Sequence, residues 1–431
     1  MNLLPHQRES ADEFVRRGGR MLLWADTGTG KTATAIECAK LVGAKRVLYL
    51  APSILKAQIK KEVDAWWPES NTLVVSGAKG TRKYIWNSGR SFLISNYEQL
   101  LHDEKEVLAY NPDFVIVDEC QRFAAPTSKT LKIFRKLNPR YRLAMSGTPA
   151  PNHLHEFWNM TDWVSPGHFH NSFWQFRARE CMMNPNFPAI IGYFDKMRMQ
   201  KKFMSQIHRV RREDVLQLPP LTEVRIECEL SKDQREVYEK LKEELVLELG
   251  NGQLLTVPNM LALIMRLRQM AGMPRVLGVA VDSAKQKKLA ELLGAISSRK
   301  TIVFTEFSSV ARALSAEYAA EALMVTGDTP QKDRDAIFER FRTDKDVRLL
   351  FLTSAAKYGV NLQAADTVIH YDSPWNEAGM DQRNARAWRY GQEKEVTSYR
   401  LVALKTVDEK MEKMVAGKKK ATVEDLRKFF E

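Results

Sequence analysis

The run Ala25-Asp26-Thr27-Gly28-Thr29-Gly30-Lys31-Thr32 constrains this chain more than any other segment. The apolar residues Met21-Leu22-Leu23-Trp24 lead into it like a buried strand, and Thr32 opens a helical pattern through Ala35, Ile36 and Ala39. A strand, a glycine-rich turn and a helix N-terminus make an anion site, because unpaired backbone N–H groups converge there. Gly28 and Gly30 let the backbone approach oxygens closely. Lys31 is placed for β/γ-phosphates and the Thr32 hydroxyl for Mg²⁺. A strict phosphate loop has glycine where Ala25 stands, so the match is one residue short. The competing reading is an ordinary strand–turn–helix corner with a surface lysine.

Hydrolysis needs a second group of residues. Phe114-Val115-Ile116-Val117 is a β-branched run that ends in Asp118-Glu119-Cys120-Gln121. In an open α/β sheet, carboxylates at the carboxyl end of such a strand face the same crevice as the phosphate loop. Asp118 is then a Mg²⁺ holder, and Glu119 is placed to polarise the attacking water. Taken alone, the pair also reads as a surface acidic turn.

At 431 residues the chain exceeds what one core supports, so two or three domains are expected. No apolar run is long enough to span a bilayer, and the N-terminal residues lack the long apolar core of a signal peptide. Cys38, Cys120, Cys181 and Cys228 stand apart, without metal-ligand pairing, which fits a reducing cytosolic or nuclear compartment. His153, His155, His168 and His170 fall close together but lack the partner cysteines of a zinc site. The net charge of +13 favours a polyanionic partner, although a solubilising surface carries the same signature.

Strand-like runs at 46–50, 91–94, 114–117 and 141–145 alternate with helical patterns, and the texture returns at 301–304, 322–325, 348–352, 367–371 and 398–402. Such alternation predicts an α/β fold: two lobes, each a mainly parallel sheet with helices on both faces. Between them, Val237, Leu241, Leu245 and Leu249 share a helical face, and Pro219-Pro220 marks a break. The expected boundaries are 1–165 for the first lobe, 166–282 for helical protrusions and a connector, and 283–431 for the second lobe. The second half has no phosphate loop. It has Gln382-Arg383-Asn384-Ala385-Arg386-Ala387-Trp388-Arg389, where a helix would bring Arg386 and Arg389 to one face. Guanidiniums can stabilise charge on a transferring phosphoryl group, and they serve equally on a solvated or phosphate-contacting helix.

In this order the segments resemble the superfamily-two helicase motor, most closely its Swi/Snf-type branch of DNA translocases, over nearly the whole chain. Leu4-Pro5-His6-Gln7 resembles the adenine-reading segment, Asp118-Glu119-Cys120-Gln121 the acid box, and Ser146-Gly147-Thr148-Pro149 the coupling motif. Leu50-Ala51-Pro52-Ser53 and Ile94-Ser95-Asn96-Tyr97 resemble segments that track a DNA strand. Arg209 to Pro220 and Leu230 to Tyr238 are similar to the Swi/Snf connector. Gly359-Val360-Asn361-Leu362-Gln363 resembles the fifth motif, and Asp372-Ser373-Pro374-Trp375-Asn376 with the arginine segment completes the series. Thr27 and Thr29 follow the general superfamily wording, and Ala356 and Lys357 stand where the branch often has paired glycines.

The resemblance implies two RecA-like lobes that burn ATP with Mg²⁺. It assigns nucleotide binding to Gln7, Thr27, Gly28, Thr29, Gly30, Lys31, Thr32, Gly359 and Gln382. Catalysis falls to Lys31, Asp118, Glu119, Arg386 and Arg389, and metal holding to Thr32 and Asp118. Ser146 and Thr148 are implied as couplers. Ser53, Lys56, Ser95, Asn96, Thr305, Thr353, Lys357 and Trp375 are implied as nucleic-acid contacts. The partner implied is DNA, duplex or branched, gripped by its backbone, with a protein partner supplying targeting to a compact motor. A strand-separating DNA or RNA helicase, or a nucleotide-dependent scaffold, would use the same core.

Overall fold

A computed structural model describes residues 2–123, 129–147, 154–185, 190–250, 257–353 and 361–416. The chain divides into two compact units, Met1–Gln217 and Leu218–Glu431.

The first unit is built on a seven-stranded sheet. Its strands are β1 (Arg20–Ala25), β2 (Val47–Leu50), β3 (Thr72–Val74), β4 (Phe92–Ser95), β5 (Phe114–Val117), β6 (Tyr141–Ser146) and β9 (Ile207–Val210). They lie in the order β3-β4-β2-β5-β6-β1-β9, and every neighbouring pair is parallel. Strands β2, β4 and β5 are buried at every position, as apolar runs covered on both faces must be. Helices Pro5–Arg16, Lys31–Leu41 and Lys56–Trp66 are among the covering elements, and Phe14 of the first stacks on Phe114 of β5 at 5.3 Å. A two-stranded antiparallel ladder, β7 (Cys181–Met183) and β8 (Ile190–Tyr193), stands apart from this sheet.

The second unit has six parallel strands. They are β10 (Leu221–Cys228), β11 (Thr301–Thr305), β12 (Ala322–Val325), β13 (Leu349–Thr353), β14 (Thr367–His370) and β15 (Val396–Ala403), in the order β10-β15-β14-β11-β13-β12. Helix Lys232–Gly250 sets Tyr238 into a cluster with Ile264, Leu267 and Met411, flanked by Val237 and Leu241.

The expected α/β architecture of two parallel sheets with helices around them is present. The stretch 166–282 is shared between the units: β9 completes the first sheet beside β1, and β10 pairs along its whole length with β15. Backbone pairing explains the division, since an added strand satisfies its N–H and C=O groups only by joining the sheet beside it.

A buried charge network organises the second unit. Lys285 is fully buried; its ammonium donates to the Tyr371 carbonyl at 2.7 Å and pairs with Asp408. Removing one partner of a buried pair strands the other charge. Lys285→Ala should therefore lower the unfolding free energy of this unit by roughly 3–5 kcal/mol in urea titration. A loss under about 1 kcal/mol would show that Asp408 finds its compensation elsewhere.

Candidate nucleotide site

The turn after β1 is tightly specified. Gly28 and Gly30 have φ of 91° and 84°, left-handed values that a side chain rarely adopts. Gly30 is the N-cap of helix Lys31–Leu41. A Cβ there would also meet Gln7 Nε2 at 2.1 Å and push that amide off the Thr29 carbonyl. Thr29 Oγ1 donates to the Asp26 carbonyl at 2.8 Å. The Thr29 carbonyl accepts from Gln7 Nε2 at 3.1 Å and lies 2.8 Å from His6 Nε2. Gln7 Oε1 takes the Leu4 amide at 3.0 Å, so the segment Leu4–Gln7 clamps the loop from one side. Lys31 Nζ rests on the Ala25 carbonyl at 3.0 Å. Thr27 and Thr32 are half-buried on the same turn.

The carboxyl end of β5 supplies the acids. Asp118 is buried, and burial together with the neighbouring Glu119 carboxylate pushes it up to about 7, against the pull of Lys31. Its Oδ1 accepts the Glu119 amide at 3.0 Å. Glu119 has φ of 51°, a left-handed conformation that costs a non-glycine residue strain. Gln121 ties this box to the end of β6. Its Nε2 donates to Glu119 Oε2 at 2.6 Å, and its Oε1 accepts from Ser146 Oγ at 2.9 Å. Next to Ser146, a Cβ on Gly147 would lie 2.8 Å from Lys31 Nζ and 3.0 Å from Thr27 Oγ1. The residues after β1, β5 and β6 therefore meet at one rim. Thr148, the other coupling candidate, lies outside the described residues, as do Lys357 and Gly359.

Sequence reasoning missed a clasp on the loop. Asp26 accepts from Arg209 Nη2 at 2.7 Å and from the Arg212 amide at 3.0 Å, while its own amide donates to the Val210 carbonyl at 3.0 Å. Arg209 also donates to the Trp24 carbonyl at 3.2 Å and lies over the Trp24 ring at 5.3 Å. One signal was available: an aspartate inside an anion-binding turn opposes the ligand's charge unless a cation holds it. His6, Gln121 and Gly147 belong to the same missed set.

In the second unit, helix Glu377–Asn384 stops before both arginines. The expected helical face for Arg386 and Arg389 is corrected: both lie in the turns that follow. The reason is local. Asn384 Oδ1 is engaged by His370 Nε2 at 2.9 Å and by Ser398 Oγ at 3.0 Å, which fixes the helix end in the core. The Arg386 and Ala387 amides then take the tighter Arg383 and Asn384 carbonyls. Arg386 is buried, with Nε donating to the Gln382 carbonyl at 3.0 Å; Arg389 is half-buried. Gln382 is buried.

The strand-track candidates follow strand ends in both units, but most are turned inward. Lys56 is buried; its ammonium donates to the Val75 carbonyl at 2.8 Å and Gln99 Oε1 at 3.1 Å, and burial holds it down to about 8. Ser95 donates to Gln99 Oε1 at 3.1 Å, and Asn96 to Glu98 at 2.6 Å. Thr305 donates to Asp372, and Thr353 is buried with its hydroxyl unbonded among the described residues. Trp375 is half-buried under the Arg268 guanidinium at 5.4 Å. Among the described candidates, Ser53 alone is exposed.

A family model described as the SNF2-related domain matches residues 6–276, more than half of the chain. The chain belongs to the SNF2-related family. The helicase conserved C-terminal domain matches residues 284–391. An uncharacterized ATP-dependent helicase of Mycoplasma pneumoniae is 28% identical over 89% of this chain and 38% of its own length. The ATPase of the ISWI chromatin-remodeling complex of Saccharomyces cerevisiae is 25% identical over 90% of this chain and 37% of its own length. A DNA repair and recombination protein of Gallus gallus is 26% identical over 95% and 53%. The chain thus spans about half or less of the length of these relatives. Among solved structures, the Sulfolobus solfataricus SWI2/SNF2 ATPase core in complex with dsDNA aligns over all of this chain and 97% of its own, with 23% identity and a TM-score of 0.48.

Two outcomes follow for this SNF2-related site. Asp118 has a folded-state value raised above 3.8, so its contribution to stability is complete below 3.8 and is lost as pH rises through about 7. Without nucleotide, Asp118→Asn should flatten that part of the stability–pH curve measured by thermal melting; an unchanged slope would rule out this carboxyl as its source. Arg209→Ala should loosen the loop and raise the KM for ATP about tenfold, as expected for a lost charged hydrogen bond, with a smaller change in kcat. A KM equal to that of the parent would show that the clasp does not shape the site.

Proposed function

We propose that this chain is the motor core of an ATP-dependent DNA translocase, which hydrolyses ATP and moves along double-stranded or remodels branched DNA. One observation carries the reading. Lys31, Thr27, Gly147, Asp118 and Glu119 gather at the carboxyl rim of one parallel sheet, and Gln121 links the acid box to Ser146. Such a linkage lets a change at the phosphate end be felt at the end of the neighbouring strand. The proposed organisation keeps lobes at 1–165 and 283–431, with 166–282 supplying protrusions, a connector and the edge strands β9 and β10, one for each sheet.

The loop amides of 27–32 and Lys31 bind the phosphates, with Gln7 exchanging its present bond to Thr29 for the base edge. Gly359 and Gln382 complete nucleotide binding. The donor set of Thr32 and Asp118 fits a divalent cation, because a buried carboxylate with raised proton affinity gains by trading its proton for a metal ion. Mg²⁺ held there supplies charge neutralisation on phosphate oxygens. Glu119 orients the attacking water and takes up its proton. Arg386 and Arg389 stabilise the charge that develops on the transferred phosphoryl group. Ser146 and Thr148 relay the state of the acid box. On the DNA side, Ser53, Lys56, Ser95, Asn96, Thr305, Thr353, Lys357 and Trp375 are the proposed contacts. Ser53 is ready as it stands, whereas Lys56, Ser95, Asn96 and Thr305 require their present bonds to be exchanged. Among the described residues no helix is long and apolar enough to cross a membrane, and all four cysteines are buried and free. The free cysteines support a reducing compartment, and targeting by a protein partner is proposed with it.

The decisive assay compares ATPase stimulation by duplex DNA, single-stranded DNA and RNA at one salt concentration. Duplex DNA should stimulate most; dominance of RNA would overturn the DNA reading. In the same assay Glu119→Gln should bind ATP yet lose turnover by a factor of ~10²–10⁴. Arg389→Ala should cut kcat by ~10³ with little change in nucleotide affinity. Unimpaired turnover in either variant removes that residue from its role.

A further inference from the structure

The first unit holds a second cleft that shares no residue with the nucleotide site. It has a volume of about 540 Å³ and is lined by Arg135, Trp158, Asp162, Phe173, Trp174 and Arg177, among others. Its floor is aromatic: Trp158 is buried, with the Phe173 ring 5.4 Å away. Two guanidiniums lie on the rings, Arg135 over Trp158 at 5.5 Å and Arg177 over Trp174 at 4.4 Å. Trp174 is nevertheless 70% exposed, so its other face is open. Asp162 is half-buried, accepts the Gly167 amide at 3.3 Å and lies 4.0 Å from Arg135.

The surface continues with the same chemistry. Of the large apolar side chains exposed among the described residues, Trp174, Met182, Ile191, Phe194, Met197 and Met204 fall within one short stretch. The Phe194 amide donates to the Glu180 carbonyl, which brings β8 back to the end of helix Phe173–Glu180. The stretch carries Arg177, Arg179, Lys196, Arg198, Lys201 and Lys202. Its two acids are already engaged. Glu180 is buried against His170 and Arg198, and Asp195 caps helix Lys196–Met204 through the Arg198 amide. Cations therefore outnumber acids on this surface, where Asp195 is exposed and Glu180 is not, and they are interleaved with rings.

An apolar peptide would not need that charge, whereas single-stranded nucleic acid needs both parts, since bases stack on aromatic faces and the backbone follows cations. We propose that this cleft binds an unstacked nucleotide where single-stranded DNA leaves a duplex, with the base on the open face of Trp174 and the phosphate between Arg135 and Arg177. Asp162 and the neighbouring Asn171 offer hydrogen-bonding groups to the base edge. The assignment rests on the reading of the chain as a DNA motor, and adds to it a site that distinguishes a fork from a plain duplex. The Arg135–Asp162 contact is long enough to yield to a phosphate, and Arg177 keeps its ring contact while it does so.

The test uses the full chain and fluorescence anisotropy with a labelled blunt duplex and the same duplex bearing single-stranded tails, at several salt concentrations. The parent should prefer the tailed DNA. Trp174→Ala should weaken tailed-DNA binding about tenfold, towards the blunt value, and Trp174→Phe should restore most of it. Arg135→Ala with Arg177→Ala should lower the salt slope for tailed DNA by about two, one per cation. ATPase stimulated by blunt duplex should stay at the parent level in Trp174→Ala, because Trp174 is exposed and outside the nucleotide site. If Trp174→Ala and the double arginine variant bind tailed DNA as the parent does, the cleft is not a nucleotide site and falls to a peptide partner. If no DNA stimulates the parent ATPase, the motor reading fails with it. Intact stimulation with unaltered tail preference overturns this site alone.

Discussion

Parallel direction is the constraint from which the rest of this molecule follows. Because every strand of the seven-stranded sheet runs the same way, the segments that leave β1, β5 and β6 emerge at one edge. A glycine turn, an acidic pair and a serine–glycine step, far apart in the chain, become neighbours for that reason alone. An antiparallel arrangement of the same runs would send half of them to the opposite edge. The helix that begins at Lys31 adds its unpaired amides to this edge, and the positive end of its dipole makes a rim suited to phosphate.

Such a rim is costly to hold, and the structure shows how the cost is distributed. Lys31 is parked on a backbone carbonyl, Asp118 is desolvated beside another carboxylate, and Glu119 occupies a left-handed conformation. Each is a local penalty of the kind found where binding or catalysis is prepared. The compensation comes from neighbours with good geometry. Asp26 is held by Arg209 and two backbone bonds, and the Thr29 carbonyl by His6 and Gln7. The turn is thus fixed from two directions, by the helix that precedes β1 and by the last strand of the sheet.

Much of this was readable in the chain. The apolar runs predicted β2, β4, β5 and β6 to within a residue or two, because strands buried on both faces must be continuously apolar. Lys31, Asp118 and Glu119 stood out because phosphate and water chemistry demands those residue types after strands, and the fold brings them to one rim. Strand β9 was not: Ile207-His208-Arg209-Val210 has too little apolar continuity, and its place beside β1 is set by pairing rather than pattern. The helix expected through Arg386 and Arg389 failed for a similar reason, since Asn384 is drawn into bonds with His370 and Ser398 that no local periodicity encodes. Lys56 has the chemistry of a phosphate contact, and its burial against three protein acceptors is something that chemistry does not reveal.

By itself the sequence determined the class of fold, the order of its motifs and the residue types available for chemistry, because these depend on side-chain pattern and on short-range turn geometry. Tertiary structure alone decided which polar groups face outward and which are consumed inside. It also decided that Arg209 serves the Asp26 turn and that Arg135, Trp174 and Arg177 share a cleft. Those outcomes turn on long-range pairing and desolvation, and neither is written in the spacing of residues along the chain.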